Sequence, residues 1–297
     1  MRPPGTRASM GGLVVRSSLT ACGFDLDTPH VQLTETRPRW GRRNTVLAQN
    51  LWNVLPARDF AEASRPYERR SRALMLARRL TANVVLSRAN HVVTMSETMA
   101  TAVSDRIGRP VEARTVSLPL VHTTYSTVDR LPGLDRTIIV PGAVTWYKRP
   151  QRALHVAELL RDRGVMTPRL LFAGARTNPD CWAALQQEAD QLGLEIHQVQ
   201  FSQLEMARAM HSAPLTVVPS EVESLGFAFS EALHLAPCVI ASGIPAHREL
   251  ARHVGRLPVW LDDFDGTLRS ENPTVLDVDR VRAEWDALGR ALGLSRR

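Results

Sequence analysis

From residue 137 onward the chain keeps one rhythm, and that rhythm narrows the fold more than any other feature. Short apolar runs at 137–141, 169–173, 196–201, 215–219, 238–241 and 257–261 are mostly separated by stretches of helical periodicity at 150–163, 179–192, 203–211 and 225–235. Runs this short, alternating with amphipathic stretches of ten residues or more, predict βαβ units. Strands that are apolar throughout, rather than at every second residue, are buried on both faces, which calls for a parallel sheet covered by helices on each side. Gly142 and Gly174 fall just past two of the runs, where a tight turn from strand to helix favours a residue without Cβ. The second half is therefore expected to be a complete doubly wound, Rossmann-like sheet.

The first half is less regular. Candidate strands lie at 13–16, 45–49, 91–95 and 115–118. A long helical stretch is expected over 65–87, with Leu74, Ala77, Leu80 and Val84 on one face and Arg72 and Arg79 on another. Two readings stay open for it: a basic amphipathic helix lying on anionic lipid headgroups, or an ordinary surface helix. Ser96 and Glu97 open a short helix, 98–106, that stops at Gly108 before Pro110. Residues 126–136, with Pro132 and Gly133, read as a linker. The expectation is an α/β protein of two Rossmann-like domains: a short or incomplete one over 1–125, and a complete one over 137–297 whose last helix packs back on the first.

Composition removes several classes. With 44% hydrophobic and 23% charged residues the chain of 297 can bury a core, so wholesale disorder is excluded. No apolar run approaches the roughly 20 residues that cross a bilayer, and the first residues lack the apolar stretch of a secretory signal. Three scattered cysteines, Cys22, Cys181 and Cys238, argue against a disulfide framework or a zinc site, and none of the nine histidines falls in a metal-binding spacing. His247 and His253 read as surface or loop residues. A cytoplasmic protein without metal is expected. Residues 1–135 hold 19 Arg against 11 Asp and Glu, whereas 136–297 are close to balanced. The basic half suggests an anionic partner, such as a phosphorylated substrate, nucleic acid or a membrane surface touched peripherally at its inner face; a coding bias toward Arg accounts for the excess equally well. Lys148 is the only lysine among 37 basic residues. A compact ammonium on a flexible stem meets a single phosphate oxygen in a way that a guanidinium does not.

The stretch VPSEVESLGFAFSEALHLAPCVIASGIPAHREL, residues 218–250, carries the chemistry. Glu223 stands in a loop and Glu231 about two turns into the following helix. Between them Ser224, Leu225, Gly226 and Phe227 present the amides of a helix N-terminus, which receives phosphate well. Carboxylates on either side of such an end suit a ligand with hydroxyls flanking a diphosphate. Blander readings are a carboxylate supporting the helix dipole at Glu223 and a solvated helix residue at Glu231. Trp146 and Tyr147 suit either stacking on a base or packing at a rim.

As a block, Pro219-Ser220, Glu223, Gly226, Glu231-Ala232, Val239-Ile240-Ala241-Ser242 and Pro245 to Glu249 resemble the Glu-x7-Glu signature of GT-B glycosyltransferases, in particular the retaining family 4 or "group 1" type. Gly142 followed six positions later by Lys148 resembles the same family's glycine and phosphate-binding lysine. The resemblance covers roughly 45–297, more closely after 136. It implies a nucleoside-diphosphate sugar as donor, with no cofactor or metal. Lys148 would hold the diphosphate, Glu231 the ribose, amides around Gly226 and Phe227 the sugar and phosphates, and Glu223 the transferred sugar near the reaction centre. It implies a polysaccharide, lipid or small-molecule acceptor, anionic or lipid-linked. There are departures: Ala143 stands where the family often has Arg, with Arg149 as a substitute; Ser224 replaces a glycine; Ala236-Pro237-Cys238 replaces Gly-Thr-Pro. Gln49 or Asn50 sits near the place of a cleft histidine, and no glycine-rich loop leading into a helix is recognisable at the amino end. A glycosyltransferase is the first expectation, a non-catalytic relative serving as partner subunit or nucleotide-sugar binding module the second. A nucleic-acid binder is the least favoured, since no binding motif accompanies the charge.

Overall fold

The computed structural model describes residues 10–27, 31–34, 44–118, 129–175, 177–268 and 277–296; part of the expected linker lies outside them. The chain divides into two compact units, the first formed by Met1–Ala57, Arg69–Thr123 and Asp277–Arg297, the second by Arg58–Glu68 and Thr124–Leu276. Elements are numbered in chain order.

The first unit holds helices α1 (Met10–Ala21), α3 (Arg69–Arg88), α4 (Glu97–Ile107) and α10 (Val278–Ala291), and strands β1 (Val31–Gln32), β2 (Thr45–Ala48), β3 (His91–Thr94) and β4 (Glu112–Ala113). The strands form one parallel sheet in the order β1-β2-β3-β4. Val46, Ala48, Val85, Leu86, Val92, Met99 and Val103 make its core. α4 begins as its sequence requires: the Ser96 hydroxyl accepts the Met99 N–H at 3.1 Å, and Gly108 in the left-handed conformation ends it.

Two sequence expectations are corrected here. Residues 13–16 lie inside α1 rather than in a strand. Val15, Ser18 and Leu19 are buried at helical spacing, and a three-residue apolar run does not distinguish the two periods. Residues 115–118 form no strand, and the ladder is closed by β4 just before them. They receive α10 instead: the Trp285 indole N–H donates to the Leu118 carbonyl at 2.8 Å, and Glu284 accepts from the Ser117 amide and hydroxyl, both at 2.6 Å.

The second unit is the doubly wound sheet. Strands β5 (Thr137–Pro141), β6 (Arg169–Ala173), β7 (Glu195–Val199), β8 (Leu215–Val218), β9 (Val239–Ala241) and β10 (Val259–Trp260) are all parallel, in the order β10-β9-β8-β5-β6-β7. Between them run α5 (Gln151–Asp162), α6 (Pro179–Leu192), α7 (Gln203–Ser212), α8 (Phe227–Leu235) and α9 (Pro245–Val254); most of α2 (Ala57–Ser64) also belongs to this unit. Ile138, Val140, Leu170, Phe172, Leu215 and Val217 pack with Leu154, Leu160, Trp182 and Leu185 of α5 and α6 on one face. Ile139, Leu171 and Val239 are buried as well, so both faces are covered at the central strands, while the edge strands β7 and β10 are half-buried or exposed. Helices and parallel sheets of this kind make both units Rossmann-like.

Candidate active site

The chain leaves β5 toward β6 and β7 on one side of the sheet, and leaves β8 toward β9 and β10 on the other. The adjacent pair β5 and β8 is therefore the point where strand order reverses. At such a point the loops beyond the carboxyl ends diverge and leave a crevice, where open α/β sheets take their ligands. Both segments singled out in the sequence begin here, one after β5 and one after β8.

After β5, Gly142 turns the chain with φ at 103°, a conformation that favours glycine, and donates its N–H to the Ala173 carbonyl at 2.9 Å. Gly174 comes so close that a Cβ on it would overlap the Gly142 carbonyl. A 3-10 turn, Trp146–Lys148, then carries the chain back. It lays the Lys148 ammonium 3.9 Å from where a Gly142 Cβ would sit and pairs it with the Glu223 carboxylate. The two side chains are only 18% and 14% exposed. Burial works against the charge on Lys148, but Glu223 outweighs it, and the ammonium pKa lies above its ordinary value. Burial likewise opposes the charge on Glu223, and Lys148 reverses this, so the carboxyl stays below the usual range. The pair is ionised at neutral pH.

The two loops are tied together beside this pair. The Glu221 N–H donates to the Tyr147 carbonyl at 2.9 Å. Arg149 donates to both Glu221 oxygens, Nε at 2.7 Å and Nη2 at 3.0 Å. Arg149 is the one described non-glycine residue at positive φ, 47°. Its guanidinium is paired with Glu221 through two of its five N–H donors.

Gly226 (φ 86°) ends the second loop, and no side chain caps α8. Gly226 has no side chain to cap the amides of the first turn, and a helix end of this kind favours an anion. Leu225 is buried beneath it. Glu231 lies on α8, partly buried.

His247 was not anticipated, and the expectation of a surface position is corrected: it is fully buried. Pro245 starts α9, and Ala246, His247, Leu250, Ala251 and Val254 form its inner face, a spacing that was available to find it. The ring lies 4.3 Å from that of Phe229, and its Cδ2 and Nε2 are 3.2 Å from where a Cβ on Gly226 would stand. Nδ1 is 2.9 Å from the Ser242 carbonyl, so Nδ1 carries the proton, while Nε2 has no hydrogen-bond partner among the described residues. Burial, with a smaller contribution from Lys148, pushes its pKa down to about 4, and the ring is neutral.

The structure thus brings Gly142, Lys148, Glu223 and, through Glu221, Arg149 together, with Gly226 and His247 beside Glu223. Gln49 and Asn50 lie in the first unit at the end of β2, where Gln49 Nε2 donates to the Leu33 carbonyl at 2.7 Å and Asn50 caps the Trp52 N–H at 3.1 Å. Among the described residues no three of His, Cys, Asp and Glu gather as a metal site.

Residues 121–256 match the model of a family described as glycosyl transferases group 1. This stretch is a glycosyl transferases group 1 domain. Solved structures share the fold over most of the chain. The apo structure of OtsA superposes with a TM-score of 0.55 at 11% identity, over 84% of this chain and 63% of that one. An alpha,alpha-trehalose-phosphate synthase (UDP-forming) from Burkholderia xenovorans, in complex with glucose-6-phosphate, gives 0.54 at 11% identity, over 94% and 74%. A mutant of S. aureus TarM in complex with Fondaparinux, alpha-GlcNAc-glycerol and UDP gives 0.53 at 12%, over 84% and 47%. At these identities the likeness is one of fold, GT-B. The chain spans under two thirds of the OtsA chain. No curated protein sequence matches it. The Lys148–Glu223 pair and the uncapped end of α8 are therefore features of the group 1 domain itself.

Proposed function

We propose that this protein is a glycosyltransferase of the retaining family 4 type, moving a sugar from a nucleoside-diphosphate sugar to a polysaccharide, lipid or small-molecule acceptor. One observation carries the reading: a buried ammonium and an uncapped helix end converge at the strand-order switch point of a glycosyl transferases group 1 domain. The Lys148 ammonium has three N–H donors, of which Glu223 uses one, leaving two for a diphosphate. As the sugar leaves, charge grows on the phosphate oxygens, and a fixed ammonium with helix-end amides stabilises it without reorganising. Glu223 anchors the ammonium and offers its other oxygen to the transferred sugar. Glu231, farther along α8, takes the ribose hydroxyls. The leaving phosphate receives the acceptor proton, so no protein base is required, and His247, buried with its pKa near 4, holds the loop rather than a proton in transit. No metal or cofactor enters this scheme.

Calorimetric titration with UDP, GDP and their sugars tests it. Binding of one such pair is expected, with slow release of free nucleotide from the sugar form. Glu231→Gln should weaken the nucleoside diphosphate by about tenfold while leaving inorganic pyrophosphate unchanged, since it removes only a ribose contact. Binding without turnover in the presence of acceptor extracts favours a nucleotide-sugar binding module, and no binding at all sinks both.

A further inference from the structure

α3 has two apolar sides. Ala82, Val85 and Leu86 are buried in the first unit. On the opposite side Ala73, Leu76, Ala77, Leu80 and Val84 recur at i, i+3, i+4, i+7 and i+11, the spacing that stacks side chains into one stripe, and all five are exposed. Leu76, Leu80 and Val84 are 47%, 57% and 44% exposed. With Leu74 they make four of the seven large apolar side chains exposed among the described residues. Scattered apolar side chains on a surface are ordinary; four on one helix are not.

The charges on the helix are as one-sided. α3 carries Arg69, Arg70, Arg72, Arg78, Arg79 and Arg88 and no acidic residue. Arg79 is buried and the other five are exposed. Arg69 and Arg70 continue the stripe's line before Ala73, and Arg88 continues it after Val84. Arg69, Arg70 and Arg72 crowd the first turn, where the helix dipole already presents positive charge and favours an anion.

We propose that α3 is a docking surface for an anionic lipid bilayer. The Leu76–Leu80–Val84 stripe enters the boundary between headgroups and acyl chains, and the arginines reach lipid phosphates. Among the described residues no helix is long and apolar enough to cross a membrane, so the contact is peripheral. Charge complementarity selects this occupant. Pairing the stripe with that of a second copy brings together two helices that carry exposed guanidiniums and no acid. A nucleic acid would satisfy the arginines and leave the leucines wet. The surface lies in the first unit and stands whether or not the donor site transfers sugar.

Co-sedimentation of the full chain with phosphatidylcholine vesicles, with and without phosphatidylglycerol, is the test. The chain should sediment with the anionic vesicles only, and less as salt is raised. Leu76→Ser with Leu80→Ser, at exposed positions, should lower partitioning by about tenfold or more. Arg70→Gln with Arg72→Gln should lower it by a similar factor of about ten on anionic vesicles. Leu257→Ser, an exposed leucine of the second unit, should change nothing. Should the double leucine variant fail to fold, Ala77→Asp, which puts a negative charge mid-stripe, should also detach the protein. The proposal is overturned by equal binding to neutral vesicles, by no vesicle binding, or by loss of binding in the Leu257→Ser control. It is also overturned by dimers that dissolve in the leucine variant, which assign the stripe to a second copy, or by a duplex-DNA mobility shift, without vesicle binding, that only the arginine variant abolishes.

Discussion

Lys148 and Glu223 meet where water is scarce, and this decides what removing either one does. Lys148→Ala leaves a buried carboxylate without its counter-charge, which costs about 3 kcal/mol, while removing both partners should restore part of the loss. A double-mutant cycle by urea unfolding measures this coupling. His247 titrates in a different window. Its folded pKa, about 4, lies below its ordinary 6.5, so the unfolded chain binds the proton more readily between those values. Stability is therefore full above pH 6.5 and is lost as pH falls toward 4, at up to about 1.4 kcal/mol per pH unit. His247→Gln should flatten that part of a stability–pH profile; an unchanged slope would contradict a neutral buried ring. At this scale Lys148 was legible because it is unique and six residues from a glycine. His247 was not, since a histidine is read as polar until the inner face of its helix is recognised.

The elements that were legible are those whose signal is local. The central strands of the second unit are buried on both faces and hence largely apolar; β5 and β6 coincide with the sequence runs 137–141 and 169–173, and the other strands fall within two residues of theirs. α4 was legible from its caps. Ser96→Ala should cost the first unit about 1 kcal/mol, read as a lowered melting temperature, because the Met99 N–H then loses its acceptor in a buried place. The turn after β5 depends on Gly174 in a different way. Gly174→Ala must displace the Gly142 backbone and with it the loop that carries Lys148. It should both destabilise the second unit and weaken pyrophosphate binding, whereas Gly164→Ala, at a positive-φ turn with open space around it, should affect stability alone. α1 was misread because its burial is periodic over residues 15–19, beyond the apolar run that drew attention.

A linear reading predicts that the last helix packs back on the first domain, but not through which residues it closes that unit. Residues 115–118 carry the composition of a strand, yet their partners sit 167 positions later on α10. No local pattern encodes a pairing at that separation; it follows from a tryptophan that needs both an apolar site and an acceptor for its N–H. α10 also contributes Gly289, against which the Phe24 ring lies so closely that no Cβ fits. Trp285 is fully buried and bonded to Leu118, so Trp285→Ala removes apolar volume and leaves that carbonyl unserved, a loss of about 3–5 kcal/mol. Because the contact belongs to the first unit, its loss should appear there. Hydrogen exchange read by mass spectrometry should accelerate over 10–27, 44–57 and 69–118 and stay unchanged over 137–268, and nucleotide affinity should hold. Exchange rising equally in β5, β6 and β8 would mean that the two units unfold together, and that the donor site depends on the helix that closes the other unit.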